Sequence, residues 1–280
     1  MERRARLTAR LSSLSDFREV VRAMRAIAAT HVQEAHGALA SIRQYSEQIE
    51  QAIADAATLL SKSDDARLAG PAGEEAKIVI PICSEHGLSG AYSNVILERA
   101  ETYLKDGAKI GLIGRKGKLI AEEQGLPLAW SFPMATHTRG VSTLCLNIMD
   151  KIVGFTHVVV VFAEYVSGGR YEVRDRQLAP LDPDLLARRA SQQKPFHYLS
   201  PDVLIKDLTL EYVFSELMRA VMEGFASENG ARLTIMEAAD RNAEEKIERL
   251  SREEKAMRQE EVTSELLDIV IGAEVVRGKS

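Results

Sequence analysis

Aromatic side chains are scarce in this chain: Trp occurs once, and Phe and Tyr seven times each, in 280 residues. A core poor in rings must be built from Ala, Leu, Ile and Val, which suits packed helices. Cysteine is scarcer still, with only Cys83 and Cys145. That pair matches no metal-ligand spacing and makes no disulfide framework, so a reducing, cytosolic compartment is expected. Long apolar runs are missing too. The most apolar stretch, about Val158 to Ala163, falls far short of the roughly 20 residues a membrane span needs. Arg3, Arg4 and Arg6 stand near the start, but Asp16, Glu19 and the lack of an apolar segment speak against a signal peptide. Neither sign of charge dominates. A formal net charge of −5 argues against nucleic-acid binding as the main task.

Proline is absent from Leu208 to Val276, and that absence exposes the most informative stretch. It reads as one helix of roughly 70 residues, which at 1.5 Å per residue would be about 100 Å long. No compact core buries such a rod, so it must find a partner helix. Its middle, Asp240 to Glu261, mixes both charges, yet Met236, Ala243, Leu250 and Met257 keep a seven-residue apolar spacing. The apolar register then shifts to Val262, Leu266, Ile269, Ala273 and Val276. Leu266, Leu267, Ile269, Val270, Ile271, Ala273, Val275 and Val276 cannot share one stripe at about 100° per residue. A tip apolar all round needs a sleeve from other chains.

The partner lies at the other end of the sequence. Every seventh residue from Leu7 is apolar: Leu14, Val21, Ala28, Ala35, Ile42, Ile49 and Ala56. Leu11, Phe17, Met24, Val32, Leu39, Tyr45, Ile53 and Leu60 accompany them, a heptad stripe that predicts a coiled-coil helix. Gly70, Pro71 and Gly73, within Ser61 to Glu75, close it.

Between the terminal helices the rhythm changes. Strands are expected at Lys77–Ile82, Lys109–Ile113, His157–Phe162 and, as an outer strand, Tyr171–Leu178. Helices are expected at Ala91–Lys105, Lys118–Gln124 and Val141–Val153. That alternation predicts an α/β fold with a Rossmann-like domain and a mainly parallel sheet. Arg188–Tyr198 reads as a polar connector, and Ser200-Pro201-Asp202 as a helix start. The expected domains are a coiled-coil helix at 1–62, an α/β foot at 74–200, and a helix at 201–280. The terminal helices pair antiparallel as a rod.

Catalytic signals are weak. Gly87-Leu88-Ser89-Gly90 before a helix could cradle phosphate, but the full dinucleotide pattern and the P-loop lysine are missing, so a tight strand-to-helix turn is favoured. Gly114-Arg115-Lys116-Gly117 reads as a basic helix entry first and an anion site second. Ser84, Glu85 and His86 are neighbours in sequence and so point apart. His31 and His36, five apart on a helix, do not share a face. No catalytic residue, metal or cofactor is expected on this chain.

Several short pieces, in order, resemble the gamma subunit family of F-type ATP synthases. They are Arg22-Ala23-Met24 with Ile27-Ala28-Ala29, Gly87-Leu88-Ser89-Gly90-Ala91-Tyr92, Gly114-Arg115-Lys116-Gly117 and Ser227-Glu228-Asn229-Gly230-Ala231-Arg232. The most specific is C-terminal: Arg258-Gln259, Val262-Thr263-Ser264-Glu265, Asp268 and Gly272-Ala273. The resemblance covers nearly the whole chain. Departures are Arg22 where lysine is usual, Thr30-His31-Val32-Gln33 in place of basic residues, Glu254-Lys255, and Val275. They mark a divergent branch and leave proton and sodium both open as the coupling ion.

The resemblance implies a central rotor stalk. Such a stalk transmits torque between an ion-driven membrane ring of c subunits and a hexamer of alpha and beta subunits, with an epsilon subunit beside the foot. It implies rotor–stator contacts at Arg22, Met24, Arg232, Arg258, Gln259, Thr263, Glu265 and Asp268, and an upper bearing at Leu266, Ile269, Val270 and Val276. On periodicity alone Met24 is packing, and the polar residues are solvated helix face. The implied location is peripheral, on the cytoplasmic face of a bacterial inner membrane. Two other classes remain open: a nucleotide-dependent enzyme using the α/β domain, and a coiled-coil tether.

Overall fold

The computed structural model describes residues 2–59, 76–182, 185 and 196–277, and the side chains of all these except 2, 268 and 272–277. In chain order the elements are α1 (Glu2–Ala57), β1 (Lys77–Pro81), α2 (Tyr92–Leu104), β2 (Lys109–Ile113), α3 (Arg115–Glu123), β3 (Leu128–Phe132), α4 (Val141–Ile152), β4 (His157–Ser167), β5 (Arg170–Ala179) and α5 (Pro201–Arg277). Packing divides the chain into two compact units, Met1–Ile27 with Ile235–Ser280, and Ala28–Thr234.

The larger unit carries a five-stranded sheet of order β3-β2-β1-β4-β5. Its first four strands are parallel, and β5 closes one edge antiparallel to β4. Both faces are covered. Ile78, Ile80 and Ile82 join α4 residues such as Leu144 and Ile148, and helix residues such as Leu39 and Leu217. Val79, Ile110 and Leu112 join Ile96, Leu97 and Ala121 of α2 and α3. Burial on both sides explains why β1 and β4 are unbroken apolar runs rather than alternating ones.

β3 escaped sequence reading. None of its residues is fully buried, Ala129 is exposed, and its apolar residues Leu128, Trp130 and Phe132 merely alternate between Pro127 and Pro133. α3 begins at Arg115, three residues before the expected Lys118, because the Arg115 N–H finds an acceptor in the Glu85 carboxylate at 3.1 Å. Leu60, Ser61–Glu75 and most of Arg188–Tyr198 lie outside the described residues.

Within the larger unit the terminal helices run antiparallel. Arg43 meets Glu223 at 2.8 Å, and Ser46 meets Ser215 at 3.2 Å, while His31 lies farther along against Asn229. The same sense holds within the smaller unit, where Arg18 pairs with Asp240 and Arg4 with Glu254 and Glu261. The Leu7 series is buried or half-buried at every member.

Two companions depart from the expected stripe. Phe17 and Tyr45 are 51% and 41% exposed. Alternating three- and four-residue steps put Arg18 and Ser46 at those inward positions instead. Arg18 turns inward to bond Asp240, Ser46 is buried, and the Tyr45 hydroxyl reaches the flanking Glu211. The apolar register change after Met257 does not turn inward either. Glu254 and Glu261, seven apart, stay on the inner side with Arg4, while Val262, Leu266 and Ile269 are exposed.

Candidate functional site

In doubly wound sheets ligands bind beyond the carboxyl ends of the strands, where the strand order reverses. Here that point lies between β1 and β4, and the chain's own α5 fills it. Gly224 lies so close that a Cβ would stand 2.7 Å from Ile82 Cγ2, and the Tyr92 hydroxyl donates to the Gly224 carbonyl at 2.9 Å. Three residues on, the Ser227 hydroxyl donates to the Ala163 carbonyl at 2.8 Å. At Gly230 a Cβ would stand 2.5 Å from the Tyr165 ring. Helix continuity through both glycines costs propensity, and close approach to the sheet explains their presence.

The loop after β1 is held by carboxylates. Glu228 accepts the Glu85 N–H at 3.1 Å and the His86 N–H at 3.4 Å. Glu85 in turn accepts the N–H groups of Arg115 at 3.1 Å and Met134 at 2.7 Å, and pairs with the Arg115 guanidinium at 3.1 Å. Both acids are nearly buried, which is tolerable only because each is bonded to donors. The Gly114-Arg115-Lys116-Gly117 turn is therefore already served by an internal anion. Gly114 adopts a φ of +104°, and a Cβ there would lie 2.4 Å from the Cys83 carbonyl oxygen.

Ser84, Glu85 and His86 do not converge. Ser84 is fully buried with its hydroxyl on Ser93 at 2.7 Å, whereas His86 is exposed. Burial pushes the thiols of Cys83 and Cys145 well above the ordinary cysteine value, away from the reactive thiolate. His31 lies 5.3 Å from the Phe225 ring, and His36 lies 4.8 Å from Tyr165. Among the described residues no group of three His, Cys, Asp or Glu side chains is placed to hold a metal. No helix there is long and apolar enough to cross a membrane.

The residues expected to make partner contacts fall into two sets. Arg232 is 8% exposed, correcting its default reading as solvated helix face. Its guanidinium donates to Glu228 and, at 3.1 Å, to Asn229, and reaches the Gly87 carbonyl at 3.5 Å. It braces the loop from inside. The others lie in the smaller unit. Arg22 is exposed and donates to Asp240 at 3.1 Å, and Met24 is half-buried. Arg18 and Arg25 approach the same carboxylate at 2.7 and 3.5 Å. Hydrogen bonding from Arg18 outweighs burial and holds the Asp240 carboxyl below its ordinary value.

Arg258, Gln259, Thr263 and Glu265 are exposed, with the Thr263 hydroxyl bonded to the Gln259 carbonyl at 2.8 Å. The side chains of Asp268 and Val276 lie outside those described. Leu266, Ile269 and Val270 are 58%, 67% and 55% exposed. Sequence reasoning missed the roles of Glu85 and Glu228, and the outward Phe17, Val20 and Ile27. Strict three–four counting from Leu7 was the available signal for Phe17.

A family model described as ATP synthase matches residues 4–276. The ATP synthase gamma chain of Lawsonia intracellularis is 27% identical over 282 residues, covering 96% of this chain and 97% of its own. That of Halothermothrix orenii is 27% identical over 288 residues, covering 99% of this chain and 100% of its own. Among solved structures, a chain of the Euglena gracilis mitochondrial ATP synthase aligns with a TM-score of 0.63 and 15% identity, covering 100% of this chain and 96% of that one. A chain from the Tetrahymena thermophila mitochondrial ATP synthase central stalk and c-ring gives a TM-score of 0.57 at 15% identity, covering 79% and 99%. These structures share the fold.

Proposed function

This chain belongs to the ATP synthase family, and from that premise we propose that it is the central rotor stalk, the gamma subunit, of a rotary ATP synthase. The carrying observation is the end of α5, where Leu266, Leu267, Ile269, Val270 and Ile271 are all more than half exposed and Val262 is 49% exposed. Exposed apolar residues spread over more than half of the helix circumference require enclosure by other chains, and a ring of alpha and beta subunits supplies it. The antiparallel helix pair is asymmetric in cross-section, so at any angle it presents different faces to three beta subunits. Differential contact with each conformational state is what couples rotation to nucleotide occupancy.

On this reading the labour divides among residues 1–62, 74–200 and 201–280. The terminal helices form the shaft, and the α/β part is the foot that carries a ring of c subunits with an epsilon subunit beside it. Arg22, Met24, Arg258, Gln259, Thr263, Glu265 and Asp268 face the stator, and Leu266, Ile269, Val270 and Val276 sit in the bearing. The chain has no catalytic site of its own, and it works as a peripheral protein on the cytoplasmic face of a bacterial inner membrane. The nucleotide-enzyme alternative is disfavoured because α5 occupies the strand-order crevice and Glu228 and Glu85 take the loop N–H groups. Affinity purification of the tagged chain from its native cell, followed by mass spectrometry, is the test. Alpha and beta ATPase subunits co-purify if the reading holds; an intact complex without them overturns it.

A further inference from the structure

Of the helices that follow the carboxyl ends of the parallel strands, α2 and α3 are treated differently. The N-terminus of α3 is met by the Glu85 carboxylate. That of α2 is not: its N-cap is Ala91, which offers no side-chain cap. A cleft of about 340 Å³ opens there, lined in part by Ser84, Ser89, Gly90, Ser93, Lys116 and Glu123. Ser89 is 5% exposed, lines this cleft, and its hydroxyl has no hydrogen-bond partner among the described residues. Lys116 likewise has no ion pair among the described residues, whereas its neighbours Arg115 and Lys118 are paired with Glu85 and Glu122.

A hydroxyl on a nearly buried residue, open to the cleft and held by no group of the chain, beside an uncapped helix start and an unpaired ammonium, marks a place prepared for an acceptor-rich anion. We propose that this cleft binds a phosphate group. The α2 N-terminus, the Ser89 hydroxyl and the Lys116 ammonium donate to its oxygens. Glu123, on the same rim, accepts from a protonated phosphate oxygen. A fully ionised sulfate has no proton to give and is repelled there. The cleft is distinct from the strand-order crevice, which α5 fills, and its volume suits a phosphate or the phosphate end of a nucleotide rather than an enclosed dinucleotide.

The test uses the full-length chain, titrated separately with inorganic phosphate, sulfate and ATP, and read by calorimetry and by the backbone amide signals of Gly90, Ala91 and Ser93. Saturable binding of phosphate, with those amides shifting and sulfate at least about tenfold weaker, is expected. Lys116→Gln and Ser89→Ala each weaken it by about tenfold or more, as loss of one hydrogen bond to a charged group does, while Lys118→Gln does not. Tighter binding of ATP at the same amides assigns the phosphate to a nucleotide; an unchanged response to ATP assigns it to the free ion. Absence of saturation by either phosphate source, sulfate binding equal to phosphate, or full binding in Lys116→Gln overturns the proposal. Because Lys116 is only half-buried and makes no internal pair, that variant keeps its fold, and matching circular dichroism checks it.

Discussion

Glu228 of the long helix accepts the backbone N–H of Glu85 at 3.1 Å across 143 residues of sequence. Its other oxygen receives the Arg232 guanidinium and the His86 N–H. The carboxylate thus ties α5 to the loop after β1, at the edge where an α/β domain would otherwise hold a ligand.

Removing that tie leaves Arg232 buried without its partner. Glu228→Ala is expected to destabilise the protein by about 3–5 kcal/mol, the range for breaking a buried ion pair, read as a lower urea midpoint. Glu228→Gln, which retains an acceptor, loses less. A loss under about 1 kcal/mol for the alanine variant would show that the loop is held by other means.

The glycines of the two long helices should respond in opposite directions. Gly37 has nothing within 4 Å of a built Cβ, so Gly37→Ala raises stability by about 1 kcal/mol through helix propensity. At Gly224 the added carbon meets Ile82 at 2.7 Å, and Gly224→Ala costs about 1–3 kcal/mol by overpacking. Thermal denaturation of the two variants side by side decides it; equal shifts refute the close approach of α5 to the sheet.

Asp240 links stability to acidity. Its carboxyl is held low in the folded chain, first by the Arg18 hydrogen bond. A depressed folded value stabilises fully above the unfolded value of about 3.9 and loses that stabilisation as pH falls through the folded value. Asp240→Asn therefore lowers the melting temperature near neutral pH, and the gap from the parent closes below about pH 4. A gap that is constant down through that range would exclude the carboxylate as its source.

The apolar end of α5 contributes little inside this chain, since Leu266 and Ile269 are mostly exposed. Truncation after Glu265 should leave the melting temperature of the isolated chain unchanged while weakening assembly with alpha and beta subunits, or coupled ion transport. Normal coupled transport by a complex carrying the truncated chain would remove the need for a sleeve.

Much of the architecture was legible beforehand because its signals are local. Apolar residues seven apart from Leu7 to Ala56 specify a buried helix stripe whatever lies opposite, and continuous Val and Ile runs at β1 and β4 specify strands covered on both faces. β3 was not legible, because a short edge strand between prolines needs only alternation, and its pairing with β2 supplies the rest. Phe17 and Tyr45 looked like core residues, since chemistry suggests burial and only register assigns a face.

The charged residues divide along the same line. In the order Arg22, Arg232, Arg258 the sequence offers three similar cations on two helices, and nothing local separates them. The fold buries Arg232 beside Glu228, draws Arg22 partway toward Asp240 and leaves Arg258 outside. By itself, then, the sequence determined the helices, every strand but β3, the family and an apolar tip with no room in its own core. Tertiary structure alone decided which polar groups are internal braces and which remain available. The burial of a charge depends on a partner brought from far along the chain, and that distance is closed only by folding.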